Sequence, residues 1–218
     1  MTHHDLLSDK LAACYTGVVH DVMRAMGERD FVLPPELRPL APDRAMAGPA
    51  FTVAGKGGGG FDPHETLLAW TGLLSKAKPG HVWCCQPNDR VCAHMGELSG
   101  ETLKNKGLRG VVADGFIRDA NFLIAMRMQC WGRGFTPRDI VGWWMPTGVE
   151  VDIRIGEVVI EPGDYLHGDR DGLLRVPRRI VEPVIAAAET AMQTENKVRS
   201  AILAGVDPQE AYLKFGKF

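Results

Sequence analysis

The 218-residue chain has no apolar run long enough to cross a bilayer as a helix. It has no Cys-x-x-Cys pair, which removes the commonest frame for structural zinc. No Gly-x-Ser-x-Gly elbow is present, and no glycine loop ends in the Lys-Ser/Thr of a P-loop, so serine-hydrolase and P-loop readings have no support. Charge of one sign is also missing. Lys and Arg number 25 against 27 Asp and Glu, and they are dispersed, so no stripe asks for nucleic acid or an anionic membrane. The five cysteines, Cys14, Cys84, Cys85, Cys92 and Cys130, are odd in number and include an adjacent pair, which argues against a disulfide framework. Cys92-x-His94 has a spacing that a soft metal could use, but buried inert thiols explain these residues better. Met1 to Asp5 shows neither the basic start nor the apolar stretch of a secretory signal, and a cytoplasmic location is expected.

Apolar residues make up 45% of the chain and charged ones 24%, an ordinary balance for a chain that buries a real core. Leu6, Leu7, Leu11 and Ala12 form a first helical stripe. Thr16 looks like the cap of a second helix, Val18 to Met26, ended by Gly27, with His20 and Asp21 off its apolar face and solvated. Five prolines between residues 32 and 49 predict extended loop. A strand follows at Ala50–Ala54, then a glycine run, a helix from His64 to Lys76 and a buried strand at Val82–Cys85. After Gly134 the strand signals become short and close together, at 149–155, 158–160, 165–167 and 173–176, and suggest an antiparallel layer. A long helix from about Ile180 to Leu203 closes the chain, with a last helical turn after Asp207-Pro208. Strand–helix alternation followed by a β layer predicts an α/β protein, a β/β/α layered single domain over residues 1–218, with N-terminal helices within 1–30 and C-terminal helices within 180–215.

Two glycine-bearing stretches compete as a site. Gly55 to Gly60 formally satisfies Gly-x-Gly-x-x-Gly, yet Asp62 and Pro63 intervene before the helix and no acid follows the next strand to bind a ribose; a flap over a site or a plain loop is the better reading. The stretch Gly96 to Asp119 is more specific. It holds a helix start at Gly96-Glu97-Leu98-Ser99, a strand at Val111–Ala113 and a turn ending in Asp114-Gly115-Phe116-Ile117-Arg118-Asp119. Asp114 ends a buried strand, where open α/β sheets place ligands. Asp119 begins a helix, where its charge suits the dipole. The plainer reading makes Asp119 a cap and Arg118 its surface neighbour. Glu97 at a second helix start weighs against it: free backbone N–H groups at 97–99 receive carboxylates, carboxylate oxygens suit Mg²⁺ or Mn²⁺, and an arginine forks to a carboxylate or an enolate. Asp169, Asp171 and Gly172 read as an Asx-bonded turn rather than a calcium loop.

These residues resemble the RraA-like family, which holds class II 4-hydroxy-4-methyl-2-oxoglutarate/4-carboxy-4-hydroxy-2-oxoadipate aldolases and the regulator of ribonuclease activity A. The matching blocks are Gly96-Glu97-Leu98, Val112-Ala113-Asp114-Gly115-x-x-Arg118-Asp119, Arg133-Gly134-Phe135-Thr136-Pro137 and the run from Pro162 to Gly172. The resemblance implies a swivelling-domain type of β/β/α sandwich and a divalent-metal-dependent lyase that cleaves a 4-hydroxy-2-oxo acid to pyruvate plus a carbonyl fragment, with oxaloacetate decarboxylation as a related activity. It implies that Arg118 binds the pyruvyl carboxylate or enolate oxygen and that Asp119 is the direct metal ligand. Gly96, Glu97, Leu98 and Ser99 would hold substrate through backbone amides, with Glu97 reaching metal-bound water. Glu195, with Glu189 as the fallback, would complete the outer metal shell from a neighbouring subunit of a homotrimer or hexamer. The alternative within the family is a non-catalytic protein-binding regulator. Departures from the family pattern fall at Glu97, Ala93, Phe61–His64 and Trp143–Pro146, where the two tryptophans are expected to shape a different pocket.

Overall fold

The computed structural model describes residues 5–217. Met1 to His4, on which the signal-peptide expectation partly rests, lie outside the described residues. Helices α1 (Leu6–Ala13) and α2 (Thr16–Ala25) come first. Thr16 opens α2 but does not cap it with its side chain. Its hydroxyl and its N–H both donate to Asp169, which locks α2 to the distant turn that Asp169 also braces through the N–H of Asp171.

The central sheet is built from β1 (Arg38–Pro39), β2 (Met46–Lys56), β3 (Val82–Gln86), β4 (Gly110–Ala113), β6 (Cys130–Gly132), β8 (Met145–Val149), β11 (Tyr165–Gly168) and β12 (Leu173–Val176). Two small pairs stand apart: β5 (Phe116–Ile117) with β7 (Gly134–Phe135), and the hairpin β9 (Ile153–Ile155) with β10 (Val158–Ile160). The order is β1-β6-β4-β3-β2-β11-β12, and β8 also pairs with β2. Strands β2, β3, β4 and β6 are parallel, and α3 (Pro63–Lys76), α4 (Glu97–Asn105) and α5 (Ala120–Ala125) lie between them in sequence. Strand β2 begins four residues earlier than the proline content predicts. Pro49 lies opposite Tyr165, and the next residue carries the pairing, with Ala50 N–H donating to Asp164 O and its carbonyl accepting from Gly163. Strand β8 replaces the front of the single strand expected at 149–155, because Glu150 turns the chain at φ +54.

Alternation along the central strands sets the layers. Phe51, Val53, Trp83, Cys85 and Val111 face α3, α4 and α5, where they meet Trp70, Leu74, Leu103 and Leu123. Ala50, Val82, Cys84 and Val112 face the other way, onto Ile153, Ile155, Val158 and Ile160 of the β9–β10 hairpin. Helices α1, α2 and α6 (Val181–Leu203) form a third apolar cluster with Tyr165, Leu174 and Val176. The expected α/β class with β, β and α layers is therefore present, and α7 (Pro208–Phe215) follows α6. All five cysteines are free and buried. Among the described residues no helix is long and apolar enough to cross a membrane.

Candidate active site

The carboxyl ends of β3 and β4 lead into the loops that carry the predicted residues. A cavity of about 560 Å³ opens there, lined in part by Gly96, Glu97, Leu98, Ser99, Arg118 and Asp119. Every predicted residue of the central stretch except Asp114 thus meets in one cleft. Asp114 is drawn aside: Arg133 Nε lies 2.5 Å from its Oδ1 and Arg90 Nη2 3.2 Å from its Oδ2, so two guanidinium groups occupy this carboxylate as a brace for the strand end.

Asp119 adopts a left-handed conformation, φ +55 and ψ 35, and its side chain does not cap α5. The residue stands at the helix start as expected, but its side chain does not serve as the cap of the plainer reading. Its Oδ2 instead crosses to α4, where it accepts the Glu97 N–H at 3.1 Å and lies 3.4 Å from Arg118 Nε. An aspartate tolerates the left-handed region better than most residues but still at a cost of about 1–2 kcal/mol. The turn therefore holds this carboxylate at the cleft against a local preference. Gly96 makes the crossing feasible: a Cβ there would stand 2.7 Å from Asp119 Oδ2 and 3.0 Å from Arg118 Cγ.

The α4 N-terminus carries three N–H groups with no intrahelical acceptor, because Gly100 N–H is the first to bond back, to Gly96 O. Asp119 takes that of Glu97, which leaves Leu98 and Ser99 as donors toward the cleft. Among the described residues, Asp119 Oδ1 and both carboxylate oxygens of Glu97 have no hydrogen-bond partner. Hard oxygen donors of this kind fit a divalent cation such as Mg²⁺ or Mn²⁺, which holds a site through one or two carboxylates and completes its shell with water and substrate.

Sequence reasoning did not single out Asp139. Its Oδ2 lies 3.6 Å from Arg118 Nη1, so the guanidinium runs between two carboxylates. Ile140 and Val141 follow it into the cavity wall. The Arg133–Pro137 block stops two residues short of Asp139, and an acid after a Thr-Pro turn carries no periodic signal.

The two tryptophans expected to shape the pocket do so only at one remove. Trp144 is fully buried, edge-on to Trp70 at 5.7 Å and to His94 at 5.3 Å; Trp70, in turn, lines the cavity. Trp143 Nε1 donates to Asp89 Oδ1 at 2.9 Å. The glycine run is tied to the Trp143 segment at its end, with Gly59 N–H donating to Trp143 O and the following Phe61 N–H to Gly142 O.

Asp89, Cys92 and His94 form a second cluster, buried, whose ligand-type atoms lie within 4.8 Å of one another. Asp89 Oδ2 already accepts from the N–H groups of Val91 and Cys92, from the Cys92 thiol and from His94 Nε2. Burial alone would push the Asp89 carboxyl up; these bonds and the Trp143 indole outweigh it and hold the carboxyl well below its usual range. Burial, reinforced by Asp89, pushes the Cys92 thiol up to about 12, which keeps it protonated. The Asp89 carboxylate is thus the centre of a hydrogen-bond hub, in which His94 Nδ1 alone keeps no hydrogen-bond partner among the described residues.

Glu195 does not line this cleft; it stands on α6, paired with Lys217 Nζ at 2.8 Å, and lines a separate cavity of about 540 Å³ with Tyr15, His20 and Asp21. Glu189 is exposed on the same helix.

Among known proteins, a protein of Halalkalibacterium halodurans named "Putative 4-hydroxy-4-methyl-2-oxoglutarate aldolase" is 30% identical over 182 residues, 82% of this chain and 81% of that one. "Uncharacterized protein MJ0644" of Methanocaldococcus jannaschii is 32% identical over 116 residues, and the match spans 53% of this chain and 55% of that protein's length. The crystal structure of Streptomyces coelicolor RraAS2, described as an unusual member of the RNase ES inhibitor RraA protein family, superposes with a TM-score of 0.79 at 24% identity, covering 91% of this chain and 98% of that one. A family model described as RraA-like, Aldolase/RraA, matches residues 16–175, the span that builds both the parallel sheet and the cleft at its carboxyl edge. The chain belongs to the RraA-like family.

Proposed function

We propose that this protein is a divalent-metal-dependent lyase that cleaves a 4-hydroxy-2-oxo acid to pyruvate and a carbonyl fragment. The observation that carries the reading is the carboxylate of Asp119, held in a left-handed turn with one oxygen unpartnered, beside the guanidinium of Arg118 in an open cleft. A saturated structural aspartate would not need that geometry.

Arg118 binds the carboxylate or the 2-oxo oxygen of the substrate through its fork, whose direction is set by Asp119 on one side and Asp139 on the other. The Leu98 and Ser99 amides at the start of α4 receive a substrate oxygen, helped by the helix dipole. Asp119 and Glu97 would hold the cation. When bound, such a cation polarises the 2-oxo group and offsets the charge that develops as the C–C bond breaks. Glu97, whose carboxylate has no hydrogen-bond partner among the described residues, takes the proton from the C4 hydroxyl through a water molecule as the C3–C4 bond breaks, and the same proton is returned to C3 of the enolate to give pyruvate. Oxaloacetate decarboxylation develops the same charge and would be a side activity of one site. The reading takes the chain as one domain that works as a homotrimer or hexamer, with Glu195 or Glu189 offered to the cleft by a second copy.

Exchange of the pyruvate methyl protons for deuterium isolates the enolising half of this reaction. Exchange is expected with Mg²⁺ or Mn²⁺ and should fall about a thousandfold, roughly 4 kcal/mol in barrier, in Asp119→Ala. No exchange with any divalent metal would sink the proposal and favour the regulator reading, which needs no free carboxylate at this position.

A further inference from the structure

We infer that the cleft selects a 4-hydroxy-2-oxo monoacid whose remaining portion is apolar, and disfavours dicarboxylates. This rests on the pyruvate-forming reading above and names the substrate class within it.

Among the described residues that line the cavity, Arg118 is the one cation, against the three acids Glu97, Asp119 and Asp139. Its guanidinium lies 3.4 Å from one acid and 3.6 Å from another, which leaves it capacity for one incoming carboxylate. Away from this charged edge the wall is apolar, formed by Leu67, Trp70 and Leu74 of α3 with Met95, Leu98 and Ile140.

The threonine hydroxyls and the Trp70 indole on that wall are already engaged. Thr71 Oγ1 donates to Leu67 O at 2.8 Å and Thr102 Oγ1 to Leu98 O at 2.7 Å, each within its own helix. Trp70 Nε1 donates to Ser99 Oγ at 3.0 Å. Nearby cations are committed elsewhere, with Arg138 stacked 4.7 Å over the Trp143 ring and Lys104 bonded to Met126 O. A second carboxylate on the substrate would lose water against this wall and find no counter-charge among the described residues that line it. An alkyl or aryl group would instead cover the exposed faces of Leu67 and Leu98.

Non-cleavable 2-oxo acids test this in the full chain with Mg²⁺, by calorimetric titration with pyruvate, 4-methyl-2-oxopentanoate and 2-oxoglutarate. The expected result is that 4-methyl-2-oxopentanoate binds about tenfold tighter than 2-oxoglutarate, and that Leu67→Arg, on the exposed face of α3, narrows or reverses the difference. Pyruvate binding accompanied by a preference for 2-oxoglutarate in the unaltered chain would overturn the inference alone. Failure of all three ligands to bind, together with absence of methyl exchange, would overturn the pyruvate reading and this inference with it.

Discussion

Two aspartates, Asp89 and Asp119, each bring a carboxylate to backbone N–H groups at the mouth of a loop, yet they end in opposite states. Asp89 is 8% exposed and its oxygens accept two amides, a thiol, an imidazole and an indole. Asp119 has a side chain 36% exposed, accepts one amide and keeps an oxygen with no protein partner. A buried carboxylate stabilises a fold only when its bonding capacity is filled, whereas a ligand site needs capacity left over. Proximity of ligand-type atoms alone favours the Asp89–Cys92–His94 group, whose carboxylate is already engaged by neighbouring donors.

Removing each carboxylate tests the contrast most sharply. Asp89→Ala strands the Trp143 indole N–H, His94 and two amides in a buried place, and about 3 kcal/mol of stability should be lost. For a chain of this size that lowers the thermal midpoint by about 6–12 °C, while Asp119→Ala shifts it by only a degree or two, both readable in one melting experiment. Equal shifts would erase the distinction between hub and site. Gly96→Ala comes next. Its methyl group would press on Asp119 Oδ2 and Arg118 Cγ, so methyl exchange with pyruvate should fall about tenfold with little change in melting.

The smallest effect is the pH response of the two buried histidines and of Asp89. Burial lowers the pKa of His94 and His167, so the fold favours their neutral forms. That contribution is complete above the ordinary histidine value, about 6.5, and is lost as pH falls through the lowered folded values. The depressed Asp89 carboxyl contributes fully above about pH 4 and is lost on further acidification. The melting temperature should therefore be level near neutrality, decline gently below about pH 6.5 and fall faster below about pH 4. In Asp89→Asn the acid branch should flatten.

Much of the architecture is legible in the residues. Apolar periodicity marks α2, α3 and α6, and the closely spaced turns after Gly134 mark the hairpins. The limits of that reading are also specific. Prolines hid the start of β2, because Pro49 is tolerated where its neighbour Ala50 carries the ladder bonds. The strand β8 was obscured by Trp-Trp-Met-Pro, a stretch with no alternation.

The candidate site divides the same way. Glycine before an acid at a helix start, and Arg-Asp after a buried strand, are local patterns, and they point to Gly96–Ser99, Arg118 and Asp119 without coordinates. Such patterns carry residue type and spacing, which is all that capping and strand termination require. Whether a carboxylate is spent or free depends on donors distant along the chain: Arg90 and Arg133 consume Asp114, and Asp119 reaches 22 residues back to the Glu97 amide. Asp139 and the apolar wall of α3 join the cleft only because parallel strands bring their loops to one edge of the sheet. Local sequence determined the groups and the elements that carry them. The tertiary structure alone decided which bonding capacity remained open, because hydrogen-bond saturation is set by neighbours in space.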